Sequence, residues 1–208
     1  MNLHDFVVRN PRLYHLSQQI LSGNKRILKK IVRSELAKLS PSPRRVLDLG
    51  CGTGLLSPVF ADDVYTGIDI DPKYIELARG NYPNKSFLIS GGQKLHFPDG
   101  HFDFVLLSCT LHHTDDTMAQ NILSEVRRIL RKPNGRCLLI DNIQPIKKNF
   151  LSSWYANRDE GDFIRTKDAY KKLVESALVD IKNESIVKDY PLGSLFFVPS
   201  YLYVFLLS

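Results

Sequence analysis

The sequence predicts a doubly wound α/β domain, and three features carry that expectation. Apolar runs of strand length alternate with helical stretches between residues 45 and 140. One run, residues 102–109, is apolar almost throughout, as suits a parallel strand covered on both faces. Near the end, two further runs follow one another with no clear helix between them, which makes them most simply antiparallel.

Taken in order, the chain starts with two helical stretches. In the second, residues 24–39, Ile27, Leu28, Ile31, Val32, Leu36 and Leu39 recur at helical spacing. Lys25, Arg26, Lys29, Lys30 and Arg33 fall on the opposite face. SPSPRR at 40–45 breaks the pattern. Residues 45–49 are the first candidate strand, followed by a glycine-rich turn and a short helix. Residues 64–70 are the second. Asp71 can cap the next helix, with Pro72 pre-set for its first position. Further strands are expected at 86–90, 102–109 and 136–140, with a helix at 117–130 and a Pro133-Asn134-Gly135 turn. Thr166 can cap a helix over 167–178. The last strands are placed at about 180–190 and 201–207. The latter, YLYVFLL, is apolar throughout, so it is expected inside the sheet.

A chain of 208 residues fits one domain. That length buries roughly 70% of its unfolded surface without staples. Three scattered cysteines argue against a disulfide framework. No apolar run reaches the ~20 residues of a membrane helix. The start, MNLHDFVVRN, has no signal-peptide pattern, so a cytoplasmic location is expected. The net charge of +6 is uneven: residues 1–45 hold ten Lys/Arg against two Asp/Glu. The basic helix is either a solvated face or a landing patch for an anionic substrate, nucleic acid or membrane surface.

VLDLGCGTG (46–54) is the most informative stretch. A buried strand runs into Gly50, Cys51, Gly52, Thr53 and Gly54, and glycines are needed where a backbone turns sharply or touches a ligand. The next strand ends at Asp69, about twenty residues after Asp48, where a carboxylate can accept both hydroxyls of a ribose. Dinucleotide enzymes use G-x-G-x-x-G; here the spacing is G-x-G-x-G. The stretch closely resembles motif I of the class I S-adenosylmethionine-dependent methyltransferases, of the ubiquinone/menaquinone-biosynthesis-like type. GIDID (67–71), LHFPDGHFDFVLLSCTLHH (95–113) and ILRKPNGRCLLID (129–141) continue the resemblance. It implies a Rossmann-like, seven-stranded, mostly parallel sheet with an antiparallel final strand and helices on both faces. The chain would then be one domain, with a helical cap at 1–43, a cofactor core at 44–141 and a substrate-side segment at 142–208.

The resemblance implies S-adenosylmethionine as cosubstrate, with no metal. Asp48, Gly50 and Gly52 would line its methionine part, Asp69 would take the ribose hydroxyls, and Cys51 and Ser108 would also bind the cofactor. Ile70 would pack on the adenine, with Gly92 and Gln93 at the adenine edge. Asp71 is expected to cap its helix instead. The family often carries an acidic residue after the third strand; Gly91-Gly92 stands there instead, so the side-chain acceptor for the adenine amino group is missing.

LHHTDD (111–116) then falls beside the cofactor pocket. In extended backbone His112 and His113 would point to opposite sides, a poor grip for a metal. Asp115 and Asp116 suit a helix N-terminus. One histidine can serve as a base for the acceptor, as in some O-methyltransferases of the family that pair it with an aspartate after the fifth strand. Asp141 occupies that position; the sequence does not choose between the histidines, and both can be mere pocket walls. Cys109 and Cys137 are expected as small hydrophobes in strands. Trp154, Tyr155, Arg158 and Arg165 mark a segment, 149–165, that is a pocket wall or a packed connector. A small-molecule acceptor, methylated on O or C, is expected. The alternatives are RNA bound by the basic helix, and a cofactor-binding partner subunit without catalysis.

Overall fold

Side chains alternate across a strand, so a strand apolar at every position needs cover on both faces. β4 (Phe104–Ser108) meets that condition, with all five residues buried. Val105 and Leu107 join one core while Phe104 and Leu106 join the other. The computed structural model describes residues 10–20, 23–39, 43–144, 163–177, 180–189 and 200–208.

In chain order the described elements are α1 (Pro11–Ile20), α2 (Gly23–Leu36), β1 (Arg45–Leu49), β2 (Val64–Asp69), α3 (Pro72–Asn81), β3 (Ser86–Ile89), β4, α4 (Asp116–Ile129), β5 (Arg136–Ile143), α5 (Lys167–Ser176), β6 (Ile181–Asp189) and β7 (Ser200–Leu207). Single-turn 3₁₀ helices stand at Ser57–Phe60 and Leu111–His113. The seven strands form one sheet in the order β3-β2-β1-β4-β5-β7-β6. Pairings are parallel from β3 to β5, and β7 runs antiparallel to β5 and β6. The fold is thus the mostly parallel sheet with an antiparallel final strand, and β7 is interior, as its apolar run requires.

Helices cover both faces. Leu47, Val105, Leu107 and Leu139 meet α4 through Ala119, Leu123 and Val126, and α5 through Tyr170 and Val174. Val46, Leu106, Leu138 and Ile140 meet α2 through Leu28, Val32 and Leu36, and α3 through Ile75 and Ala78. Each such Leu, Val or Ile removed from water contributes about 1.5–3 kcal/mol.

Local signals set the helix starts. The Asp71 carboxylate accepts from the Lys73 amide at 2.8 Å, Asp115 from Met118 at 2.7 Å and Thr166 from Ala169 at 3.2 Å. Asp71→Ala is expected to cost about 1 kcal/mol of stability in chemical denaturation. Cofactor affinity should stay nearly unchanged, and a large affinity loss would show that Asp71 is more than a cap.

The ends of two strands differ from expectation. β4 is shorter than 102–109: Phe102 makes one bridge to Leu130, and the chain leaves the sheet at Cys109 with φ +55°. Cys109 is therefore half-buried beyond the strand, in a left-handed backbone that costs a non-glycine residue roughly 1–2 kcal/mol. β5 is longer than 136–140, because pairing with β7 carries it on to Ile143, opposite Tyr201. Asp141 thus lies within β5, not after it.

Candidate active site

The order β3-β2-β1-β4 reverses direction at β1, and the crevice of such a sheet opens at the carboxyl ends of the strands beside that reversal. The turns leaving β1 and β4 meet there. Thr110 Oγ1 donates to the Leu49 carbonyl at 3.1 Å. A Cβ on Gly50 would clash with Thr110 Oγ1, and Gly50 has φ +77°. Both the close approach and the conformation therefore demand glycine.

The glycine turn is anchored from β2. The Gly50 and Cys51 amides donate to the Ile68 carbonyl at 2.8 and 3.0 Å. The Gly52 amide donates to Asp69 Oδ2 at 2.8 Å, and the Asp71 amide to Asp69 Oδ1 at 3.0 Å. Asp69 thus orders the turn, and a carboxylate has about four lone-pair sites, so both oxygens can accept further bonds. Nothing lies within 4 Å of a Cβ built on Gly52 or Gly91. Next to Asp69, Ile70 exposes an apolar side chain, at 76%.

Other expected cofactor residues sit deeper. Asp48 is buried, and Tyr65 donates to its Oδ2 at 2.8 Å. Burial, then the Asp48 charge, pushes the Tyr65 phenol well up, so it remains a donor. Burial, then Asp48 and Asp69, raises the Cys51 thiol out of the reactive range. Ser108 ends β4 with its Oγ buried and, among the described residues, without a hydrogen-bond partner. Gly92 packs tightly, since a Cβ there would meet Leu49 at 3.0 Å and Ile122 at 3.2 Å. Gln93 is exposed. The crevice therefore offers a carboxylate with spare acceptor capacity, an exposed apolar residue, open space at two glycines and an orphaned hydroxyl. That set fits a nucleoside cofactor with a polar tail.

The two histidines do not occupy extended backbone. They form a 3₁₀ turn with ring centroids 4.0 Å apart, which overturns the argument that they point to opposite sides. Among the described residues no three His, Cys, Asp or Glu side chains gather as a metal set. The turn does separate the two by burial: His112 is 3% exposed, whereas His113 is exposed.

Asp141 selects His112. Its Oδ1 bonds His112 Nδ1, and its Oδ2 accepts from the Leu111 and His112 amides at 2.7 and 3.2 Å. Burial acts to raise the Asp141 pKa, but the charge and hydrogen bond of His112, with the Asn142 amide, outweigh it and hold it below the ordinary value. An ionised carboxylate only accepts, so His112 Nδ1 carries a proton, and whenever the ring is neutral the lone pair lies on Nε2. Asp115 and Asp116 begin α4 as expected.

Two contacts, those of His15 and Tyr170, had no signal in the sequence. His15 on α1 reaches the glycine turn, Nδ1 to Thr53 Oγ1 at 2.9 Å. Tyr170 is buried beside Asp141, its phenol pushed far up by burial and then by the Asp141 charge. Arg165 is buried on backbone oxygens of LHHTDD instead of facing an acceptor. Trp154, Tyr155 and Arg158 lie outside the described residues.

Comparison with known proteins adds a second line. A family described as a methyltransferase domain matches residues 47–139. An uncharacterized methyltransferase of Synechocystis is 33% identical over 138 residues, covering 65% of each chain. The ubiquinone/menaquinone biosynthesis C-methyltransferase UbiE of Ectopseudomonas mendocina is 34% identical over 143 residues, covering 64% of this chain and 54% of its own. The chain thus spans between about half and two thirds of the length of these relatives. In fold it is similar to the crystal structure of a Methanosarcina mazei protein described as a SAM-dependent methyltransferase. There the TM-score is 0.68 and the identity 21%, covering 83% of this chain and 95% of that one.

Proposed function

Since this chain belongs to the class I S-adenosylmethionine-dependent methyltransferases, we propose that it transfers a methyl group to a small-molecule acceptor, with His112 as general base and Asp141 as its partner. The acceptor class we favour is a phenol- or quinol-type ring, methylated on carbon. The relatives named for ubiquinone and menaquinone biosynthesis support that choice. The observation that carries the reading is the buried His112–Asp141 pair at the carboxyl end of the strands, next to the glycine turn.

Bound S-adenosylmethionine supplies a methyl group already activated on a positively charged sulfur and leaves as S-adenosylhomocysteine. Asp69 would hold its ribose, Ile70, Gly92 and Gln93 its adenine, and Asp48, Gly50, Cys51, Gly52 and Ser108 its methionine part. His112 Nε2 takes the acceptor's proton, either from a ring hydroxyl to raise the nucleophilicity of the ring or from the carbon that is methylated. Asp141 stabilises the imidazolium that forms. Alignment of the two reactants can remove roughly 7–11 kcal/mol of the barrier. In the same reading the chain is one cytoplasmic domain, with its cap at 1–43, core at 44–141 and substrate-side segment at 142–208. Among the described residues, no helix is long and apolar enough to cross a membrane.

The test is incubation with methyl-labelled cofactor and either a short-chain demethylated quinol or total cellular RNA. Label on a ring carbon of the quinol supports the reading, and label confined to RNA overturns it. A chelator in the same assay should leave the rate unchanged.

One observation favours RNA as the second reading: Arg26, Lys30 and Arg33 line an exposed face of α2. If the acceptor is small, the triple change of Lys25, Lys29 and Lys30 to Glu should leave turnover within about twofold. An RNA partner would instead be lost steeply with these changes and with salt, because phosphate contacts release counterions.

A further inference from the structure

Arg165 is 7% exposed, a placement that destabilises a guanidinium unless its donors are satisfied. Its donors meet four oxygens. Nε donates to Asp116 Oδ1 at 2.8 Å, Nη1 to the Leu111 carbonyl at 2.8 Å and the Phe163 carbonyl at 3.3 Å, and Nη2 to the Thr114 carbonyl at 2.6 Å. Leu111 and Thr114 are the residues on either side of the two histidines. Two residues before the arginine, the Phe163 amide donates to the His112 carbonyl at 3.0 Å.

The other end of this grip is the strand that carries Asp141. Arg165 bridges to Ile143, and the Gln144 amide donates to the Arg165 carbonyl at 3.0 Å. The guanidinium also lies over the Tyr170 ring, 5.5 Å from its centre, and Tyr170 is buried beside Asp141. One residue therefore ties the turn bearing His112, which its guanidinium grips, to the strand end just past the carboxylate, which its backbone pairs with.

We propose that Arg165 is a positioning residue for His112: its grip on the carbonyls that flank the histidines holds the imidazole on Asp141. The inference rests on His112 being the base. Only a rigid planar fork spans these oxygens together. A lysine at the same place keeps the charge but donates from a single point. The Asp116 contact is peripheral, since that carboxylate is 79% exposed, and Asp116→Ala serves as a control.

The test reads His112 directly. In the full chain with S-adenosylhomocysteine bound, proton NMR should show a protected low-field Nδ1–H resonance, assigned by its loss in His112→Ala. Arg165→Met and Arg165→Lys should raise its exchange with water by roughly tenfold or more. Calorimetric affinity for S-adenosylhomocysteine should stay within about twofold, showing that each variant is folded. Asp116→Ala should leave the resonance protected. If both Arg165 variants bind the ligand and keep wild-type protection, Arg165 holds only the fold and the proposal fails. If Arg165→Met does not fold, Arg165→Lys decides. Should His112→Ala keep full turnover on the acceptor while the Arg165 variants loosen the resonance, the base assignment falls and the positioning stands.

Discussion

Replacing His112 with alanine is expected to lower turnover by roughly 10²–10⁴-fold, with cofactor affinity nearly unchanged. The base is lost, but the groups expected to hold the cofactor, Asp69 above all, lie at the ends of β1 to β4 and do not include His112. His113→Ala should cost far less, because His113 is exposed whereas the buried carboxylate engages its neighbour. Asp141→Asn should act in the same direction as His112→Ala: a neutral amide stabilises the imidazolium less and no longer enforces the tautomer. It also carries a stability signature. The Asp141 pKa is held below its ordinary 3.8, so its contribution is complete above that pH and is lost as pH falls through the depressed value. Wild type and Asp141→Asn should therefore differ in stability near neutrality and converge in strong acid. Full turnover in both His→Ala variants would make the histidines pocket walls and leave catalysis to alignment alone.

Asp69→Ala is expected to weaken cofactor binding by about 2–3 kcal/mol, roughly 30- to 150-fold, through loss of charge-assisted bonds to the ribose hydroxyls. The structure adds a second route to the loss. The same carboxylate holds the Gly52 and Asp71 amides, so the variant also releases the glycine turn. Asp69→Asn separates the two. Its amide oxygen still accepts one amide bond, so it should fall between wild type and alanine. Calorimetry with S-adenosylmethionine on wild type, Asp69→Asn, Asp69→Ala and Asp71→Ala measures the series. Unchanged affinity in Asp69→Ala would remove Asp69 from the binding site.

The sheet and its helix starts were legible because their determinants are local. Alternation of apolar residues, a glycine turn after a buried strand, and caps at Asp71, Asp115 and Thr166 depend on neighbours two to four positions away. Strand ends were less legible. β5 runs on to Ile143 only because Tyr201, far along the chain, pairs with it. Cys109 looks like one more apolar strand residue, yet it turns out of the sheet where the β4 turn must meet the β1 turn.

By itself the sequence determined the fold class, the place of the crevice and the residue types gathered there, since each follows from short-range pattern. Tertiary structure alone decided the rest. Asp141, twenty-nine residues from His112, chooses between two adjacent histidines because β4 and β5 are parallel neighbours in register. His15 meets Thr53 across thirty-eight residues, and Arg165 grips Leu111 across fifty-four. Such contacts are made by strand order and register, which bring distant side chains within bonding distance. No window of neighbouring residues contains that information.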